Sequence, residues 1–231
     1  MPITFPSEDI STHFSFVDDF ILPASSTASD VMAWTAVNDG GTGTPAFQDA
    51  HGGIFNVVTA AADNDYSAYS SVAENWLFQS GKKLWFEAKF KISEATTSES
   101  TWWFGFSDTL TTGGMQANAL GPLASYDGAL IYKTPETSLT VNFEVSNAGT
   151  QSTVADFGTS ISNTVHKVAL YYDGVTTITA HFYNGTTWVS TTLPVTLSGL
   201  EEMHIVFGVK AGPTAAAETL QIDYIKCVAE R

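Results

Sequence analysis

Cysteine is nearly absent. Cys227 stands alone in 231 residues, so no intramolecular disulfide can form and the chain suits a reducing compartment. Basic residues are also scarce, with nine Lys and Arg against 24 Asp and Glu and a formal charge of −15. Nucleic-acid binding replaces counterions with cationic side chains, so this balance argues against a nucleic-acid partner and, by the same logic, against an anionic membrane. High negative charge favours solubility and leaves room for a basic partner surface or metal ions. Long apolar runs are missing, and nothing approaches the ~20 residues that span a bilayer. The opening MPITFPSEDIST has no positive n-region and no apolar h-region, so no secretory signal is expected. In that setting Asn184-Gly185-Thr186 reads as turn chemistry rather than a glycosylation acceptor.

Catalytic arrangements are missing as well. A glycoside hydrolase needs two carboxyl groups ~5–9 Å apart across one groove, and no strand-like segment offers two acids on one face. Glu87 stands among lysines, Glu144 stands alone, Asp223 alternates with Ile222 and Tyr224, and the adjacent Asp18 and Asp19 point to opposite faces. His13, His51, His166, His181 and His204 lack zinc-type spacing. Asp63-Asn64-Asp65 has calcium-like oxygens without the rest of a recognisable loop, and reads as a turn. There is no G-x-S-x-G element, Cys227 sits in a strand-like segment, and no glycine-rich stretch joins a strand to a helix. No catalytic residue, metal or cofactor is expected.

What remains is strand pattern from end to end. Thr, Ser, Val, Phe and Tyr are abundant, and turn signals recur every ~8–12 residues, as in a sandwich or barrel. The clearest strand is Leu84–Ile92, where Leu84, Phe86, Ala88, Phe90 and Ile92 alternate with Trp85, Glu87, Lys89 and Lys91. Further strands are predicted over Phe14–Asp18, Gly53–Thr59, Tyr66–Ser70, Thr101–Phe106, Ala129–Lys133, Leu139–Val145, Val165–Asp173, Thr177–Tyr183, His204–Lys210 and Thr219–Val228. Helical period is absent, with single turns at most over 24–32 and 94–100. In the pair Trp102-Trp103, at most one side chain can join the core with Phe104 or Phe106. A chain this long buries roughly three quarters of its unfolded surface, and no linker divides it. One domain is expected over 14–231. Residues 1–13, where Pro2 and Pro6 bracket Ile3 and Phe5, read as an extended N-terminal arm or a strap along its own sandwich.

The hairpin LYYDGVTTITAHFYNGTTWV, 170–189, can be read by parity. Directly opposed residues share a face. Val168, Leu170 and Tyr172 must therefore face Ile178, Ala180 and Phe182, which requires an odd loop, placed at Tyr172-Asp173-Gly174. A two-residue Asn184-Gly185 turn then pairs His181 with Trp188 and Ala180 with Val189. Trp188 joins Lys167, Tyr171, His181 and Tyr183 on the outer face. The row Tyr171, Tyr183 and Trp188 suits sugar rings or a protein partner, unless a loop, the arm or another subunit covers it.

Several blocks together carry a family likeness. They are FVDDF (16–20) followed by a Trp34 segment, DAHGGIFNVVT (49–59), ADNDYSAY (62–69), KKLWFEAKFKISEA (82–95), GPLASYDGALIYK (121–133) and VFGVKAGPTAAAETLQIDYIKC (206–227). The set resembles tailed-bacteriophage virion proteins with a concanavalin-A-like jelly-roll sandwich, often head decoration or cement proteins. It covers most of the chain from about residue 16, through strand and turn patterns rather than catalytic signatures. The resemblance implies an all-β antiparallel jelly-roll β-sandwich on the virion's capsid surface, made in the host bacterial cytoplasm. It further implies a homo-oligomer, typically a trimer, that binds the major capsid protein and stabilises the assembled head. The same fold family includes lectins, laminin-G-like modules and family 16 glycoside hydrolases. The hydrolases' E-x-D-x-x-E motif is absent, and the lectin metal-and-sugar constellation is not matched residue by residue, so neither activity transfers.

The leading expectation is a non-enzymatic capsid decoration protein, with Ile3, Phe5, Tyr171, Tyr183 and Trp188 at the capsid or subunit interface. The alternative is a carbohydrate-binding module of a phage tail fibre or adhesion device, holding sugar through Tyr171, Tyr183 and Trp188.

Overall fold

The computed structural model describes residues 12–20, 34–39, 46–48, 53–95, 99–117, 120–134, 139–214 and 216–231. Ile3 and Phe5 lie outside these residues, as does the expected arm apart from Thr12 and His13; His13 already belongs to the first strand. The described chain is an antiparallel jelly-roll sandwich of two sheets. Sheet I runs β13 (Trp188–Pro194), β12 (Thr177–Tyr183), β11 (Val165–Tyr172), β6 (Leu84–Ser93), β15 (Thr219–Glu230), β4 (Ile54–Val58) and β3 (Ala46–Gln48), with β1 (His13–Asp18) also beside β15. Sheet II runs β10 (Thr150–Thr159), β9 (Thr140–Asn147), β8 (Gly128–Lys133), β7 (Thr101–Ser107), β14 (His204–Lys210), β5 (Tyr66–Ser71) and β2 (Trp34–Asn38).

The core lies between the sheets and is filled by the expected apolar parities. Leu84, Phe86, Ala88, Phe90 and Ile92 of β6 are all buried in it. Phe90 meets Phe104 at 4.6 Å and Trp102 at 4.8 Å between ring centroids, so aromatic contacts join the two sheets. Trp102 and Trp103 divide as adjacent strand residues must. Trp102 enters the core, while Trp103 packs on the other side of sheet II, and both are fully buried.

Strands β2, β3 and β10 go beyond the sequence expectation. β10 is an edge strand, mostly exposed, with a register shift between Val154 and Gly158. It has no alternating apolar set for a pattern to detect. The expected alternation also breaks in β15. Ile222 opposes Phe90 and Tyr224 opposes Lys89, so Asp223 is the extra residue of a bulge. Ile222, Ile225 and Cys227 enter the core. Asp223 and Tyr224 both face outward, rather than on opposite faces as simple alternation predicts.

One end of the sandwich is closed by a buried ion pair. Lys133 Nζ donates to Glu94 Oε1 at 2.8 Å and to the Ser100 carbonyl at 2.6 Å, and the Ser100 hydroxyl donates to Glu94 at 2.7 Å. Burial lowers the Lys133 pKa, with Glu94 opposing the shift.

Candidate functional site

The two hairpin turns that position the outer face of sheet I are set by side-chain oxygens. Asp173 Oδ1 accepts the amides of Val175, Thr176 and Thr177 at 2.7, 3.0 and 3.1 Å. Partial burial pushes this carboxyl up, but the three amides outweigh it and hold it below the usual carboxylate range. The Asp173 amide donates to the Thr177 carbonyl at 3.1 Å, and Tyr172 opposes Ile178. The odd loop is therefore Gly174-Val175-Thr176, not Tyr172-Asp173-Gly174. At the second turn Asn184 Oδ1 accepts the amides of Thr186 and Thr187, and the Asn184 amide donates to the Thr187 carbonyl. The turn is Gly185-Thr186, with Gly185 at φ +97°. Trp188 opposes Tyr183 rather than His181, and Val189 opposes Phe182 rather than Ala180. The first correction shifts each partner by four residues and the second by two, both even numbers, so every side chain keeps its expected face.

Pairing across the sheet then lines up residues from five strands. Trp188 neighbours Tyr183, Tyr183 neighbours Lys167, Lys167 neighbours Lys89, and Lys89 neighbours Tyr224. Four strand spacings make this row ~19 Å long. The Tyr183 and Trp188 rings lie 5.3 Å apart at 38°, and the Tyr183 hydroxyl donates to the Gly185 carbonyl at 2.8 Å. Lys167 Nζ sits 5.6 Å from the Tyr224 ring centroid and 3.6 Å from Glu87 Oε1. The Tyr224 hydroxyl donates to the same carboxylate; burial first, then Glu87, pushes that phenol up. Lys89 Nζ pairs with Asp223 Oδ2 at 2.6 Å. Beside this row the β15 bulge opens a cleft of about 150 Å³ lined by Lys89, Lys91, Val165, Gln221 and Asp223.

Tyr171 stands apart from the pair. It opposes Thr179 and Trp85, two rows along, and its ring lies 5.7 Å from that of Trp85. Between the rows, Ser190, His181, Ala169, Glu87 and Lys226 succeed one another across the sheet. Burial holds the His181 imidazole below the usual histidine range. The expected trio is thus a close pair, Tyr183 and Trp188, plus a separate Tyr171. Tyr224 is the residue that sequence reading missed. Its signal was present: the apolar parity of β15 changes from even at Leu220 and Ile222 to odd at Ile225 and Cys227.

The remaining sequence candidates have local structural roles. Asp65 Oδ2 accepts the Ala62 amide at 2.9 Å and Asn64 has φ +64°, which makes residues 62–65 a turn. Among the described residues, no group of three or more His, Cys, Asp and Glu side chains is arranged to hold a metal. Burial pushes the Cys227 thiol well up, so it has no thiolate character. The bulge does bring Asp223 to the face that carries Glu87, but each carboxylate is paired with a lysine.

No family model and no curated protein matches the chain in sequence. Solved structures do match. Peanut lectin superimposes with a TM-score of 0.65 at 13% identity, covering 94% of this chain and 97% of the lectin. Lectin I from Ulex europaeus, solved with the methyl glycoside of α-L-fucose, gives 0.63 at 11%, covering 94% and 98%. Arcelin-5, a lectin-like defence protein from Phaseolus vulgaris, gives 0.63 at 9%, covering 95% and 99%. Identities this low speak to architecture, and the chain therefore shares the jelly-roll fold of the legume lectins.

Proposed function

We propose that this chain is a non-enzymatic carbohydrate-binding protein that takes glycans on the outer face of sheet I. The row Trp188, Tyr183, Lys167, Lys89 and Tyr224 carries the reading. Sugar rings present C–H faces that stack on aromatic rings, while their hydroxyls need donors and acceptors close by. This row sets two lysines between the Trp188–Tyr183 pair and Tyr224 over ~19 Å, the length of a short oligosaccharide. A flat row of this kind suits an internal stretch of a polysaccharide better than a single terminal sugar. The Ulex neighbour's bound fucoside supports the reading only as an example of a sugar on this fold. Within the phage setting that the sequence blocks suggest, the role corresponds to a tail-fibre or adhesion module. The head-decoration role, with a major capsid protein as partner and a trimeric assembly, rests on those blocks alone; none of the three neighbours described above is a virion protein.

The test is calorimetric titration with a panel of polysaccharide fragments. Wild type should bind at least one glycan, and Trp188→Ala and Tyr183→Ala should each weaken it about tenfold with the unfolding midpoint little changed. Absence of binding across the panel, together with stoichiometric copies on purified virions and less stable heads without the protein, would replace this reading with head decoration.

A further inference from the structure

The cations of this acidic chain are segregated. Of its nine basic residues, Lys133 and Lys210 are buried, at 0% and 2% exposure. The other seven belong to sheet I or its end. Lys89, Lys91, Lys167 and Lys226 stand on its strands, Lys82 and Lys83 directly precede β6, and Arg231 directly follows β15. Acids such as Asp63, Asp65, Glu74 and Asp108 belong to the connections of sheet II. A net charge of −15 repels anions at long range, but salt screens that field over ~8–10 Å, so a bound anion responds to the side chains beside it. On the outer face of sheet I those are mostly ammonium groups, interleaved with Trp188, Tyr183 and Tyr224.

The lysines are also accessible to a ligand. The Lys89–Asp223 and Lys167–Glu87 pairs are partly exposed, and such pairs contribute little, ~0–1 kcal/mol, so an incoming anion can compete for the ammonium groups. Lys91 has no ion pair among the described residues. It lines the ~150 Å³ cleft with Lys89, Gln221 and Asp223, whose carboxylate is paired with Lys89; the space is well below the ~300 Å³ at which small-molecule pockets begin and is suited to one charged substituent.

We propose that the outer face of sheet I takes an anionic polysaccharide, one bearing carboxylate or sulfate groups. Trp188 and Tyr183 stack on its rings. Lys167, Lys89 and Lys91 hold its anionic groups, one of them seated in the cleft beside Gln221. This deepens the glycan reading above and rests on it.

The experiment compares dextran sulfate, polygalacturonate, neutral dextran, neutral β-glucan and poly-L-glutamate on the full chain. The variants are Lys89→Gln/Lys91→Gln and Trp188→Ala, each checked for an unchanged unfolding midpoint. An anionic polysaccharide should bind at least about tenfold tighter than the neutral polymers and weaken as salt rises. The lysine double variant should lose about tenfold on the anionic polymer alone, and Trp188→Ala should lose affinity for it as well. Equal binding of neutral and anionic polymers, untouched by the lysine variant, overturns the anionic proposal and leaves the glycan reading standing. Poly-L-glutamate binding as tightly as the polysaccharides, with Trp188→Ala without effect, marks a charge-only surface for acidic protein and overturns both. No binding to any polymer also overturns both.

Discussion

The outer faces of the two sheets carry similar residues and meet different fates. On sheet II the outward set includes Trp103, Leu130, Tyr132 and Val206, and the chain covers it with its own connection between β7 and β8. Leu110, Met115 and Tyr126 of that strap complete a second apolar cluster. Lys210 Nζ donates to the carbonyls of Met115 and Gln116, and the Tyr126 hydroxyl donates to Glu144 at 3.1 Å. On sheet I the outward set includes Trp188, Tyr183, Tyr171 and Tyr224, all partly exposed, with lysines among them. Aromatic content therefore does not mark a binding surface: Trp85, beside Tyr171 on the outer face of sheet I, is buried too, whereas Trp188, Tyr183, Tyr171 and Tyr224 keep partial exposure.

That contrast can be broken by experiment. The largest effect should come from the covered face. Trp103→Ala removes a fully buried indole from beneath the strap and should cost ~3–5 kcal/mol in denaturant unfolding. A loss as small as that of Trp188→Ala would remove the distinction between the faces.

Lys210 supplies a pH signature of the same cover. Burial lowers its pKa from 10.5 to about 8. Between those values the unfolded chain holds more protons, so stability rises with pH across that window, by at most ~3 kcal/mol. The difference in stability between wild type and Lys210→Met should grow in wild type's favour from about pH 8 to pH 10, and a flat difference would show that the ammonium is solvated.

Gly208 tests the fit beneath Trp103. A Cβ there would lie 2.2 Å from the indole ring, so Gly208→Ala should lower stability by ~1–3 kcal/mol. An unchanged midpoint would mean that the indole has room to move.

The smallest effect belongs to the open face. Asp223→Asn breaks the Lys89 pair and should change stability by less than ~1 kcal/mol. A larger loss would make that pair part of the framework rather than a surface feature.

Much of this arrangement is legible in the residues. Alternation in β6 assigns Trp85, Glu87, Lys89 and Lys91 to one face, and parity alone assigns Tyr171, Tyr183 and Trp188 to the same face of the hairpin. Loop placement was less legible. Counting residues gives loop parity, but Asp173 and Asn184 decide where each turn closes by capturing backbone amides. Tyr224 was hidden because a single bulge residue inverts every later position of a strand. The strap was hidden because a loop's sequence does not say which surface it will lie on. Nothing in the sequence marks Lys133 and Lys210 as buried; long-range contacts place carbonyls and a carboxylate around them.

The sequence by itself determined most of the strands and their two faces, because side-chain alternation is a local property of an extended backbone. Only the tertiary structure decided that Lys167 lies beside Lys89, Lys89 beside Tyr224, and that the β7–β8 connection covers sheet II while Trp188, Tyr183, Tyr171 and Tyr224 of sheet I stay partly exposed. Those relations depend on pairing between strands far apart in the chain. The pairing is settled by how the whole core packs, and no local pattern records it.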